Sequence, residues 1–107
     1  MISQPAEKAM ANSTIPFNVG ELKYNGILNS SHDLNNLVDG IYYIQTPAPE
    51  NAPVTTCVWC ILIQITPTSS MIHQYIIKPA SAVLWMRERS GNPSVWLNWT
   101  KIVGTAV

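Results

Sequence analysis

The sequence predicts a small, mainly β domain: an antiparallel sheet or sandwich of about five strands with one short helix. Three observations carry this expectation. β-branched and aromatic runs recur from Gly40 to Val103. Clusters of Pro, Gly, Ser and Asn separate those runs, as turns require. The compact helix signal at Ser31–Gly40 is too short to build a helical layer.

Taken in order, Pro5–Ala11 supports one or two helical turns, with Pro at a tolerated start. Asn12–Leu28 reads as extended chain or short strands. Residues 1–30 form an N-terminal extended or linker segment in this reading, and residues 31–107 the β-rich domain. In Ser31–Gly40, Asp33 or Ser31 caps a short helix, Leu34, Leu37 and Val38 share one face, and Gly40 ends it. Ile41–Gln45 is a strand. Pro47–Pro53 is a rigid loop, since Pro cannot serve a central strand. Val54–Thr66 is a long strand, Pro67–Ser70 a turn, and Met71–Ile77 and Ala82–Arg87 two more strands. Ser90–Pro93 is a turn, and Val95–Val103 closes the domain.

The strand face pattern is unusual. Cys57, Trp59, Ile61, Ile63 and Ile65 fall on one face of the long strand, and Val58, Cys60 and Leu62 on the other. A strand apolar on both sides needs cover on both. The second cover falls to the short helix, the N-terminal segment or a neighbouring subunit, and a chain of this size favours the subunit.

Composition narrows the function. Charged residues make up 11% of the 107-residue chain and hydrophobic ones 47%, with a net charge of zero. That argues against a phosphate-backbone binder, which needs a basic face. The longest apolar run, Cys57–Ile63, falls far short of the roughly 20 residues a membrane span takes. No secretion signal is visible, so synthesis in a cytosol is expected.

The two cysteines, Cys57 and Cys60, have CxxC spacing. In a strand they point to opposite faces, and a redox CxxC works at a helix start, so buried packing is expected for both. His32 and His73 lie in no nucleophile motif. Asp33 and Asp39 flank the short helix as capping and turn residues, and Glu88 sits between two arginines. No cofactor, metal or enzymatic activity is expected. Trp59 and Trp85 lie inside apolar strands, as core or interface residues do. Trp96 and Trp99 fall on opposite faces of the last strand, which exposes one ring to a ligand. Arg87, at a strand end, is expected to pin a loop by a salt bridge or carbonyl contact.

One ordered set of residues remains: Asp33-Leu-Asn-Asn-Leu37, Gly40-Ile-Tyr-Tyr-Ile44, Asn51-Ala-Pro53, the apolar strand 57–65, Gln74-Tyr75, Trp85-Met-Arg87 and Trp96-Leu-Asn-Trp99-Thr-Lys-Ile102. It resembles the pyocin-knob-like domain near the C-terminal end of phage tail fibres, tailspikes and tail-derived bacteriocins, over about residues 31–103. The resemblance implies a β-rich homotrimeric knob of a virion, made in the bacterial cytoplasm, carried on the rest of a fibre or spike, and serving host-surface recognition or trimerisation. It implies that Asp33, Asn35, Gly40, Tyr42, Gln74, Arg87, Trp96 and Trp99 are pattern positions, most of them framework. A bacterial surface polysaccharide is the expected ligand, met by loops Pro47–Pro53 and Ser90–Ser94. Trp96, Trp99, Asn51 and Asn92 are the candidate contacts.

Overall fold

The computed structural model describes residues 22–107. The expectations for Pro5–Ala11 and for the first part of Asn12–Leu28 lie outside the described residues. The chain is mainly β, as the sequence predicts. Seven strands form one mixed sheet: β1 (Tyr24–Leu28), β2 (Gly40–Ile44), β3 (Cys60–Thr68), β4 (Met71–Lys78), β5 (Val83–Gly91), β6 (Ser94–Trp96) and β7 (Thr100–Val103). β1 to β5 lie side by side in sequence order, and β6 and β7 follow one another along the free edge of β5. Neighbours are antiparallel except β1 and β2, which are parallel. The sheet thus begins at Tyr24, ahead of the residue-31 boundary read from the sequence.

Parallel neighbours need a crossover connection. Here it is the segment from Asn29 to Asp39, which crosses one face of the sheet and supplies Leu34, fully buried, and Leu37. A second long connection, from Gln45 to Trp59, lies on the same face and supplies Ala52 and Cys57. A bridge joins the two connections: Leu34 N donates to Glu50 O, and Glu50 N donates to His32 O. These loops take the place of a helical layer. Beneath them the inward residues Leu28, Tyr42, Ile44, Cys60, Leu62, Ile76 and Trp85 form the core.

Several expectations need correction. The helix reduces to a 3₁₀ turn at Leu34–Asn36, capped by Asp33. Leu34 is buried but Val38 is 71% exposed, because the turn ends before Val38 can join its face. Gly40 does not cap the turn; it opens β2 at φ +153°. The long strand starts at Cys60, not Val54. β2 ends at Ile44, opposite Cys60, so residues before Cys60 have no strand to pair with. The last bond across, from Trp59 N to Ile44 O, leaves Trp59 in the left-handed region at φ +61°. Cys57 then turns inward instead of pointing away from Cys60. The two free, buried thiols lie 3.7 Å apart. A hydrogen bond between them, together with burial, raises Cys57 above the ordinary thiol range, and the same bond holds Cys60 below it. Trp59, expected in a core or interface, is 52% exposed and so does not belong to the core of the protomer. Finally, Val95–Val103 is not one strand but two, broken at Leu97–Trp99.

Only one face of the sheet is covered within the described residues. On the bare face, Ile27, Tyr43, Ile61, Ile77, Leu84 and Ile102 stand in cross-strand register, one from each of six strands. Ile27, Ile61, Ile77 and Ile102 are 36–47% exposed.

Gly40 is the position where a side chain fits least. A Cβ there would fall on the Asn25 side-chain amide and within 2.9 Å of Lys23 O, at a φ that L side chains rarely adopt. Gly40→Ala is expected to lower the unfolding free energy by about 2 kcal/mol or more in denaturant titration. Gly104→Ala, where the nearest atom is 3.4 Å away, should stay within about 0.5 kcal/mol of the parent protein.

Candidate functional site

The inward positions of three adjacent strands carry polar residues where the pattern calls for apolar ones. Cross-strand register aligns Gln64 of β3, Gln74 of β4 and Arg87 of β5. All three are buried. Burying a cation costs several kcal/mol unless hydrogen bonds and partners replace its water.

Each replacement is identifiable. Arg87 Nε donates to Gln74 Oε1 at 2.8 Å, and Nη2 donates to Asn35 Oδ1 at 2.8 Å. Gln74 Nε2 donates to Leu34 O and to Gln64 Oε1, both at 2.7 Å. Gln64 Nε2 donates to Leu37 O at 2.9 Å and to Asp39 Oδ1 at 3.3 Å. The donors therefore run one way, from a guanidinium through two amides to a carboxylate, so the bonds polarise one another in a low-dielectric interior. The chain ties the 3₁₀ segment to the sheet at three points.

Two aromatic rings lie against the guanidinium. Its carbon lies 3.9 Å from the Trp96 ring centroid and 4.5 Å from that of Trp99. Such cation–π contacts contribute about 2 kcal/mol when desolvated. In an unbroken strand two residues three apart point to opposite faces. Both rings reach Arg87 because the strand breaks between them, so the expected opposite-face placement of Trp96 and Trp99 is corrected. Among the described residues Arg87 makes neither the salt bridge nor the backbone carbonyl contact expected of it; it uses side-chain amide oxygens and rings. Burial pushes its pKa down to about 10, against the favourable field of Asp33, so it stays charged at neutral pH.

Trp99 extends the network. Its Nε1 donates to Asn51 O at 2.9 Å, and Asn51 Nδ2 donates to Asp33 Oδ1 at 2.7 Å. Asn51 sits at φ +66°, a region Asn tolerates. Asp33 also caps the 3₁₀ turn by accepting from Asn35 N at 2.9 Å. Tyr42 donates to Val38 O at 2.6 Å, next to the start of β2. Among the described residues, no buried side-chain nitrogen or oxygen lacks a partner.

Asp33, Asn35, Gln74, Arg87, Trp96 and Trp99 thus meet in one network, with Asn51 as a further member. Tyr42 and Gly40 stand at its edge. Of the four candidate ligand contacts, Trp96, Trp99 and Asn51 are engaged inside the chain. Asn92 is exposed at the β5–β6 hairpin, beside a shallow hollow lined by Ser69, Ser70, Met71 and Arg89. The loop 48–55 borders a second hollow.

Two features escaped the sequence reading. Gln64 was readable as a polar residue at an inward position, but its partner depends on register. His73 and Glu88 stand opposite each other on the bare face, with Nε2 and Oε1 2.9 Å apart. The neighbouring Tyr75 places its hydroxyl 3.4 Å from His73 Nδ1. These three, with Met86, Leu97, Asn98 and Thr100, line an open groove of about 290 Å³ at the β6–β7 break. No helix among the described residues is long and apolar enough to cross a membrane.

Replacing Arg87 by Lys keeps the charge but removes the planar fork and one of the two amide contacts. Thermal and denaturant unfolding should show a loss of about 2–4 kcal/mol. Asp33 supplies a pH test. Hydrogen bonds from Asn35 N and then Asn51 hold its carboxyl below the ordinary value of 3.8. A depressed folded-state pKa contributes stability that is present above 3.8 and lost as pH falls through the folded value. Asp33→Asn should therefore unfold with a shallower pH dependence in that acidic window than the parent protein.

Comparison of the chain with protein-family models, curated proteins and solved structures gave no match.

Proposed function

We propose that the chain forms a homotrimeric knob at the tip of a phage tail fibre or tailspike and binds a bacterial surface polysaccharide without catalysing a reaction on it. The supporting observation is the apolar row on the bare face of the sheet. Ile27, Tyr43, Ile61, Ile77, Leu84 and Ile102 offer a continuous line of side chains from β1 to β7. A patch of that kind suits contact with another chain. The row supports self-association; the threefold state and the phage setting come from the resemblance, whose pattern residues converge around Arg87. The carboxylates of Asp33 and Asp39 are held in caps and turns, which favours binding over catalysis.

A second reading is favoured by the same network. Because Trp96, Trp99 and Asn51 spend their contacts within the chain, the domain would trimerise or terminate a fibre whose recognition lies elsewhere.

Light scattering tests the assembly. The expected mass is three times the 11.8 kDa protomer, and Ile61→Lys with Ile77→Lys should return a folded monomer. A parent protein that runs as a monomer would contradict the reading. Binding to an array of purified bacterial capsule and O-chain polysaccharides then separates the two readings: retention supports the receptor-binding knob, and trimers that bind none of them support the structural one.

A further inference from the structure

The break between β6 and β7 does more than admit two rings to Arg87. Because Trp96 and Trp99 both turn inward, the residues between them are displaced to the edge of the bare face. Leu97 N still bonds Glu88 O at 2.8 Å, which fixes the break against β5. Leu97 is 52% exposed, and Asn98 and Thr100 are exposed beside it. Across the groove stand His73, Tyr75 and Glu88. The imidazole is anchored at both nitrogens, with Glu88 on Nε2 and the Tyr75 hydroxyl near Nδ1. Its ring meets the Tyr75 ring edge-on, at 89° and 6.2 Å. The His73 side of the groove is therefore positioned before any ligand arrives.

We infer that this groove binds one neutral or amino-sugar unit of a polysaccharide, with Asn98, Thr100, His73 and Glu88 meeting its hydroxyl or amino groups and Tyr75, Met86 and Leu97 its C–H surface. The inference rests on the reading of the chain as a polysaccharide binder and gives that reading a site. Mixed hydroxyl, amide, imidazole and carboxylate groups beside one aromatic ring match a polyhydroxy ligand. A purely apolar ligand would strip water from the exposed Asn98 and Thr100 side chains without replacing its hydrogen bonds. An acidic sugar or a phosphate is disfavoured, because Glu88 is a carboxylate held ionised by hydrogen bonds from Ser90 and then His73. The one cation in the lining, Arg87, is enclosed by two indoles and two amides. At about 290 Å³ the groove lies at the small end of ligand sites, in keeping with a single unit rather than a long stretch.

The groove is compatible with the proposed assembly. Along the strands, Tyr75, Met86 and Thr100 lie one same-face rung from the apolar row, about 7 Å away, and His73 and Glu88 lie two rungs, about 13–14 Å away. A trimer closed on that row can leave the groove open.

The test uses the full chain, labelled with ¹⁵N. Methyl glucoside, methyl galactoside, methyl rhamnoside, methyl N-acetylglucosaminide and glucosamine serve as probes, with glucuronate and N-acetylneuraminate as acidic comparators. At least one neutral or amino sugar should shift the amides of His73, Tyr75, Glu88, Asn98 and Thr100, and the acids should not. Asn98→Ala and Thr100→Ala, both at exposed positions, should together weaken that binding about tenfold or more, with the unfolding midpoint unchanged. Shifts confined to another surface, or selective binding of the acids, would overturn the inference. The array distinguishes the two levels. If the double variant still binds the polysaccharide that the parent protein binds, the groove is wrong and the binding reading stands. If the parent protein binds neither polysaccharide nor sugar, both fail.

Discussion

A cation buried on the covered face of a small β sheet is the constraint on which the rest of this structure depends. Arg87 is 9% exposed and, among the described residues, has no carboxylate in direct contact. Its hydration has to be replaced by groups drawn from distant parts of the chain. Gln74 and Gln64 come from the two preceding strands, Asn35 from the crossover, and Trp96 and Trp99 from the C-terminal segment. Gln74, Gln64, Asn35 and Trp99 are each held by a further hydrogen bond. The interaction therefore selects one placement of the loops: the layer is fixed on the sheet by the polar chain that runs from Arg87 through Gln74 to Gln64. Removing one partner leaves the remainder unsatisfied, which costs more than the bond itself is worth.

This accounts for the distribution of the chain between two faces. The covered face combines an apolar core at the Ile44–Leu62–Trp85 end with the polar chain at the Gln64–Gln74–Arg87 end. Nothing from the described residues covers the opposite face. The same polarity runs along that face, with the apolar row Ile61–Ile77–Leu84 behind the apolar core and the His73–Glu88 pair behind Gln74–Arg87. The strand break that serves Arg87 on the inside opens the groove on the outside. Framework and proposed site are thus two consequences of one local geometry, and the framework residues need not touch a ligand to determine where it binds.

Much of the fold was legible from sequence because alternation and turn chemistry are local. Gly40–Ile44, Met71–Lys78 and the turn at Ser90–Pro93 emerge close to their expected bounds. The failures share a cause. Cys57 and Trp59 have strand composition, but a strand needs a neighbour, and β2 runs out at Ile44. Trp96 and Trp99 have strand spacing, but the demand of Arg87 for two ring faces overrides the period. Both are decisions of tertiary contact. The parallel pairing of β1 with β2 was equally hidden, since nothing in Tyr24–Leu28 names its partner. The pattern positions could be named from the resemblance, whereas their convergence on Arg87 required the register of three strands. His73 and Glu88 were passed over because fifteen positions separate them and only the β4–β5 register sets them face to face.

The central claim is that Arg87 is held, charged, between the Trp96 and Trp99 rings. Nuclear magnetic resonance of its side chain tests this most directly. A guanidinium at 3.9 and 4.5 Å from two ring centroids should show strong upfield ring-current shifts of its side-chain protons. Its Nε–H, donated to Gln74, should exchange with water only on the timescale of structural opening. Side-chain shifts near those of a free arginine, with rapid Nε–H exchange, would contradict the account.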